Sequence, residues 1–252
     1  MIMPGQYDGG FLLPTTVLYG LGVCMMLGGF LYQLPRIGLL LISVSSFIVS
    51  AVYIEQADPT TAFSPITHLL LVPGMSNGAM SLYPVIPWIG VMTFGMFWAR
   101  LLKKRAQAYT IALQIGLAFL GVFVVLRWFE WANFQHGSYD GLIGFFTLIK
   151  YPPSLSFILL ACGVNLILLY ILSKKGVQKY TRFLLVFGQT AMFFYILHLY
   201  LYAIIGIAFP TGCGIVSLYI IWLLGLVPLF FICRWFLAFK KRQPLSSFWR
   251  MI

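Results

Sequence analysis

Acidic residues are scarce in this chain. Five Asp and Glu stand against sixteen Lys and Arg, and only 8% of the 252 residues are charged. A soluble domain carries roughly 25% charged residues, so this composition cannot furnish a water-facing surface. Cysteines are few: Cys24, Cys162, Cys213 and Cys233 lie in or beside apolar segments, and none forms a C-x-x-C pair. That spacing argues against a metal centre and reads as small apolar helix residues. No repeat or low-complexity tract occurs. The opening MIMPGQYDGG has no Lys or Arg, which argues against a cleavable signal peptide. The formal net charge of +11 invites a nucleic-acid reading, but the basic residues sit in short clusters between apolar runs. Such clusters belong beside anionic lipid headgroups, and no nucleic-acid partner is expected.

What the chain has in abundance is hydrophobic sequence, 61% of all residues. A spanning helix needs about 20 apolar residues. Seven runs qualify: 15–33, 37–54, 84–102, 108–128, 154–173, 182–208 and 214–238. Helices pair every backbone N–H and C=O internally, as lipid demands, and the period-2 alternation of a membrane barrel is absent. The expected fold is all-α: one polytopic transmembrane bundle of about seven helices spanning 1–252. With seven spans Arg36, Arg100, Lys103, Lys104, Arg105, Lys174, Lys175, Lys179, Arg182, Arg234 and the basic C-terminal tail all fall on one side. The positive-inside rule makes that side cytoplasmic. Asp8, Glu55, Asp58, Glu130 and Asp140 fall on the other side with the N-terminus. In the first outer segment, 55–83, PGMSNG at 73–78 reads as turns.

Ionisable groups at membrane depth mark function by default. His198, in FFYILHLYLY, lies roughly 24 Å along a continuous helix from Arg182. Gln189 and Thr190 sit about two turns deeper on that helix. The plainer reading of His198 is a packing hydrogen bond to a neighbouring helix. At the end of the fourth run, Arg127 and Glu130 are three apart and pair if the helix continues. Trp128 and Trp131 suit an aromatic belt. His136 and Asp140 form an H-x-x-x-D-G string, of the kind some soluble acyltransferases use with the His as general base. YPVIPW (83–88) and KYPPSL (150–155) mark helix starts, where proline is tolerated. They also place Tyr83, Trp88, Lys150 and Tyr151 as a rigid rim over an outward cavity. There Lys150 could hold a phosphate, a carboxylate or an acyl carrier.

Three strings, YPVIPWIGVMTFGMFWAR (83–100), KYPPSLSFILLACGVNLILLYIL (150–172) and VFGQTAMFFYILHLYL (186–201), resemble the bacterial heparan-α-glucosaminide N-acetyltransferase-like membrane proteins. The resemblance runs in order from about residue 17 to the last helix. It implies a larger bundle of about ten helices. It also implies acyl transfer from acetyl-CoA or another acyl-CoA to a sugar or glycan acceptor across the membrane, with a His as general base. The family's Asp-x-x-Arg-Gly motif and the catalytic His that follows it have no counterpart here, so the chain is expected to correspond to the family fold from roughly its fourth helix onward. The catalytic base is therefore unassigned. His198, Lys150, Tyr151, Tyr83, Trp88, Arg127, Glu130 and Gln189 remain as candidate pocket residues, and no metal is expected. Membrane lipid is the surrounding partner, a homo-oligomer is compatible with the sequence, and a bacterial inner membrane is the expected location. Two rival readings stand beside this one. A transporter or flippase for a glycan precursor should show internal repeats and broken helices, whereas here no repeat occurs and the proline strings sit at helix ends. A non-catalytic membrane subunit is the other.

Overall fold

The computed structural model describes residues 13–15, 17–55, 64–76, 79–104, 107–131, 141–150, 153–209, 212–244, 247 and 249. Its fold is all-α, with one small sheet. The chain divides into two compact units, residues 1–171 and 172–252.

The first unit opens with β1 (Leu13–Thr15) and α1 (Val17–Leu31), then α2 (Arg36–Glu55) and the short α3 (Pro65–Leu70). Strands β2 (Gly74–Ser76) and β3 (Ala79–Ser81) lead into α4 (Val85–Lys104) and α5 (Ala108–Trp128). The short α6 (Gly141–Phe146) precedes α7 (Leu155–Ser173). Within the run read as turns, Gly74–Ser76 is a strand, in a sheet of order β1-β3-β2, and Asn77 and Gly78 lie outside the described residues. Strand β3 pairs antiparallel with β2, Met80 opposite Met75, and parallel with β1, Met80 opposite Pro14.

Strands β1 and β3 run the same way and each feeds a helix, so α1 and α4 run parallel. Small residues of α1 make the contact. A Cβ on Gly20 would lie 3.0 Å from the Tyr83 Cβ, and one on Gly28 2.8 Å from the Met92 Cε. The antiparallel α2 presents Ser43, Ser46 and Ser50, all buried, at spacings that share one helix face. The Ser46 hydroxyl donates to the Ile86 carbonyl and that of Ser50 to the Ser46 carbonyl. In lipid there is no hydrophobic drive between helices, so close approach and such hydrogen bonds hold them together. Helices α5 and α7 cross at Gly116 and Gly163, where a Cβ on either would lie within 3.1 Å of the other's carbonyl oxygen. Trp98, Ala112 and Leu166 form a buried cluster beside this crossing.

The second unit holds α8 (Lys175–Thr181), a 3-10 turn at Arg182–Leu184, α9 (Leu185–Gln189), α10 (Ala191–Ile207) and α11 (Ile215–Arg242). The run expected as one helix over 182–208 is instead broken. The segments Gly176–Gln189 and Ala191–Ile207 meet at 80°. Thr190, at φ −126° and ψ 33°, leaves the helical region, and its hydroxyl turns back to the Val186 carbonyl at 2.8 Å. Such back-bonding competes with the helix ladder. The axial distance from Arg182 to His198 expected of a straight helix does not apply.

Among the described residues five helices are long and apolar enough to cross a membrane, and the bent pair makes a sixth if it is one span. The run at 15–33 forms the 15-residue helix α1, about 22 Å long, shorter than the ~30 Å hydrocarbon core. Large apolar side chains such as Met25, Phe30, Ile215, Val216 and Trp235 are more than 60% exposed within the chain, which suits lipid as their surroundings. This is an integral membrane protein.

Candidate functional site

Chain direction brings one end of α4, the end of α5 and the start of α7 to the same end of the first unit, because α5 is antiparallel to both neighbours. Five of the sequence-derived candidates gather at this end: Tyr83, Trp88, Arg127, Glu130 and Lys150. Tyr151, His136 and Asp140 lie outside the described residues.

Tyr83 and Trp88 stack in a tilted pair, ring centroids 5.3 Å apart. Pro84 and Pro87 are fully buried beside them. The Trp88 indole N–H and the Ser81 hydroxyl are buried without a hydrogen-bond partner among the described residues, as is the Ser43 hydroxyl on α2. The Trp98 indole N–H, in the core cluster, is likewise without one among the described residues; a buried donor without a partner costs about 1–3 kcal/mol, and a bound ligand is one way such a group is satisfied. Sequence reading singled out Trp88 but missed Ser81 and His68. The His68 ring packs where a side chain on Gly74 would project, with Nδ1 3.0 Å from the Val72 carbonyl. Strand β2 therefore needs glycine at that point.

Arg127 does not pair with Glu130. Its Nε donates to the Phe145 carbonyl at 3.0 Å and an Nη to the Gly144 carbonyl at 2.6 Å. The guanidinium also lies 5.9 Å from the Phe145 ring centroid. The expected pairing fails because α5 ends at Trp128. The Trp131 N–H returns to the Leu126 carbonyl and the Glu130 N–H to the Arg127 carbonyl. These bonds make a Schellman closure with Glu130 in the left-handed position usually given to glycine, at φ 56°. Lys150 is exposed and forms a bridge with Pro153. The buried Ser154 hydroxyl caps α7 by accepting from the Phe157 N–H at 3.1 Å, so the helix begins one residue after the proline pair and its serine. The Ser156 hydroxyl donates to the Trp131 carbonyl, tying the start of α7 to the end of α5.

His198 and Gln189 belong to the second unit. The His198 Nδ1 lies 3.1 Å from the Phe194 carbonyl, one turn earlier, and the ring stacks on Phe194 at 5.4 Å between centroids. A carbonyl only accepts, so Nδ1 is the donor in this contact. Gln189 ends α9 at the break, and its backbone carbonyl accepts from the Lys240 Nζ at 3.1 Å. Among the described residues no group of three His, Cys, Asp or Glu could hold a metal ion.

Residues 10–126 match the sequence model of the heparan-alpha-glucosaminide N-acetyltransferase catalytic family. Over this stretch, just under half of the chain, the sequence is similar to that family. The matched stretch takes in α1, α2, α4 and nearly all of α5, with Ser81, Tyr83 and Trp88. The acetyltransferase-like match stops one residue before Arg127, and Lys150, Gln189 and His198 lie beyond it. No curated protein and no solved structure matches the chain.

Proposed function

We propose that the chain serves acyl transfer from an acyl-CoA thioester, acetyl-CoA in the simplest case, to an amine or hydroxyl of a sugar or glycan acceptor. The observation that carries this reading is the match to an acetyltransferase catalytic family over 10–126. In the reaction the acceptor nitrogen or oxygen bonds to the acyl carbon, the C–S bond breaks, and the proton leaving the acceptor passes to a base and on to the departing thiolate. The unpaired donors of Ser81 and Trp88 are suited to hold an acceptor hydroxyl or the developing oxyanion. Charge bias supports a topology with the N-terminus and the Tyr83 end of the bundle outside and the C-terminus in the cytoplasm. A bacterial inner membrane is the proposed location.

The experiment is transfer of label from [acetyl-14C]-CoA to amino sugars and glycans by the purified chain in detergent or proteoliposomes. Labelled acceptor above the level of a Ser81→Ala/Trp88→Phe variant supports the reading. No label on any acceptor, with the protein folded, overturns it.

One observation favours a second reading, movement of a glycan precursor. The 80° break between α9 and α10 is an interruption of the kind transporters use to build binding sites at membrane depth. Acceptor uptake into proteoliposomes without any acyl donor would favour it.

A further inference from the structure

At the other end of the first unit, away from the sheet, the loop joining α1 to α2 meets the last turn of α4. A cavity of about 500 Å³ opens there, lined by Tyr32, Pro35, Arg36, Arg100 and Lys103. Three of its five lining residues are cations and none is acidic. The Arg100 guanidinium donates to the backbone carbonyls of Tyr32 and Leu34 and lies 4.7 Å from the Tyr32 ring centroid. It is thereby fixed in place with part of its fork committed. Arg36 and Lys103 make no hydrogen bond or ion pair among the described residues.

A positive-inside bias accounts for cations on this side of a membrane. It does not account for three of them lining one concavity when like charges repel. Their mutual repulsion is relieved by an anion that accepts from several donors at once, and a phosphate oxygen cluster does this better than a carboxylate. Arg36 also opens α2, whose first N–H groups and positive dipole end add to the same potential.

We infer that the pocket of Arg36, Arg100 and Lys103 binds a phosphate group. Two sources share that chemistry at a membrane surface: an anionic phospholipid headgroup and a soluble phosphate ester or polyphosphate. The inference rests on this pocket alone and stands or falls separately from acyl transfer.

The test uses the full chain, purified in a neutral maltoside detergent, with two probes. Phosphatidylglycerol is titrated against phosphatidylcholine and read by native mass spectrometry. Inorganic pyrophosphate is titrated in water and read by calorimetry. Saturable uptake of one phosphatidylglycerol per chain over phosphatidylcholine assigns the lipid source, and saturable pyrophosphate binding the soluble one. Each cation near a membrane surface contributes about fivefold to anion binding, so Arg36→Gln/Lys103→Gln should weaken whichever binding occurs by roughly thirtyfold. The charge-keeping Arg36→Lys/Lys103→Arg pair should retain most of it, and Lys179→Gln on α8 should change nothing. The inference is overturned if neither probe saturates. It is equally overturned if the double Gln variant, eluting as a single species like the parent, binds as well as the parent does.

Discussion

The Lys240 ammonium sits 3.1 Å from the backbone carbonyl oxygen of Gln189, so the last turn of α11 supplies a donor where the α9–α10 break removes one. A broken helix leaves carbonyls that something else must satisfy. Thr190 answers one of them through its hydroxyl, and Lys240 answers another. Lys240→Met should therefore destabilise the second unit by about 1 kcal/mol, near the worth of one hydrogen bond. Thermal unfolding in detergent measures this, and a melting curve identical to the parent's would remove Lys240 from the support of the break.

Glu130 occupies a left-handed position, at φ 56°, where a non-glycine residue costs roughly 1–2 kcal/mol. Glu130→Gly should raise stability by up to about 1 kcal/mol, part of the gain being lost to the greater freedom of glycine in the unfolded chain. Backbone strain of this kind persists where function selects the side chain. The same variant is therefore expected to lose activity while gaining stability. A variant with lower stability would contradict the Schellman geometry.

Arg127 fastens the α6 segment to the end of α5 through two carbonyls. Replacement by Met should cost about 2 kcal/mol and increase protease cleavage between residues 129 and 153. Replacement by Lys should rescue little, since one ammonium cannot reproduce a two-pronged guanidinium contact. Full rescue by Lys would mean that charge, rather than the fork, holds the segment.

At the α5–α7 crossing, Gly116→Ala would place a methyl 2.9 Å from the Gly163 carbonyl oxygen. The helices must separate, at a cost of about 1–3 kcal/mol. Gly121→Ala on the same helix meets nothing within 4 Å and should be neutral or slightly stabilising. Equal melting temperatures for the two variants would refute the close crossing.

Helices occupy the apolar runs at 37–54, 84–102, 108–128, 154–173 and 214–238, because twenty apolar residues in lipid have little choice but a helix. Details governed by single groups were hidden. The polar interruption Gly188-Gln189-Thr190 inside an apolar run was the available signal for the break, yet hydropathy averages it away. Asn77-Gly78 is a strong hairpin dipeptide, but flanking strands of three residues are too short for alternation to register. Of the candidate site, Tyr83 and Trp88 were legible from their proline string. The pairing of Arg127 was misread: the i, i+3 spacing to Glu130 assumes a helix that ends at Trp128, and backbone carbonyls as partners leave no mark in a sequence. The basic pocket was visible only as scattered loop charges, since Arg36 and Arg100 are far apart in the chain and meet only when α2 and α4 lie side by side.

The parallel pairing of β1 with β3 has a consequence for biosynthesis. During translation β1 leaves the ribosome before α1 and α2, while its partner β3 follows them. Non-local contacts of this type form late and slowly. Helices α1 and α2 are therefore made while β1 is still unpaired, and only the arrival of Ala79–Ser81 completes the sheet. A stall or cleavage just before residue 79 would leave β1 without the strand it pairs with.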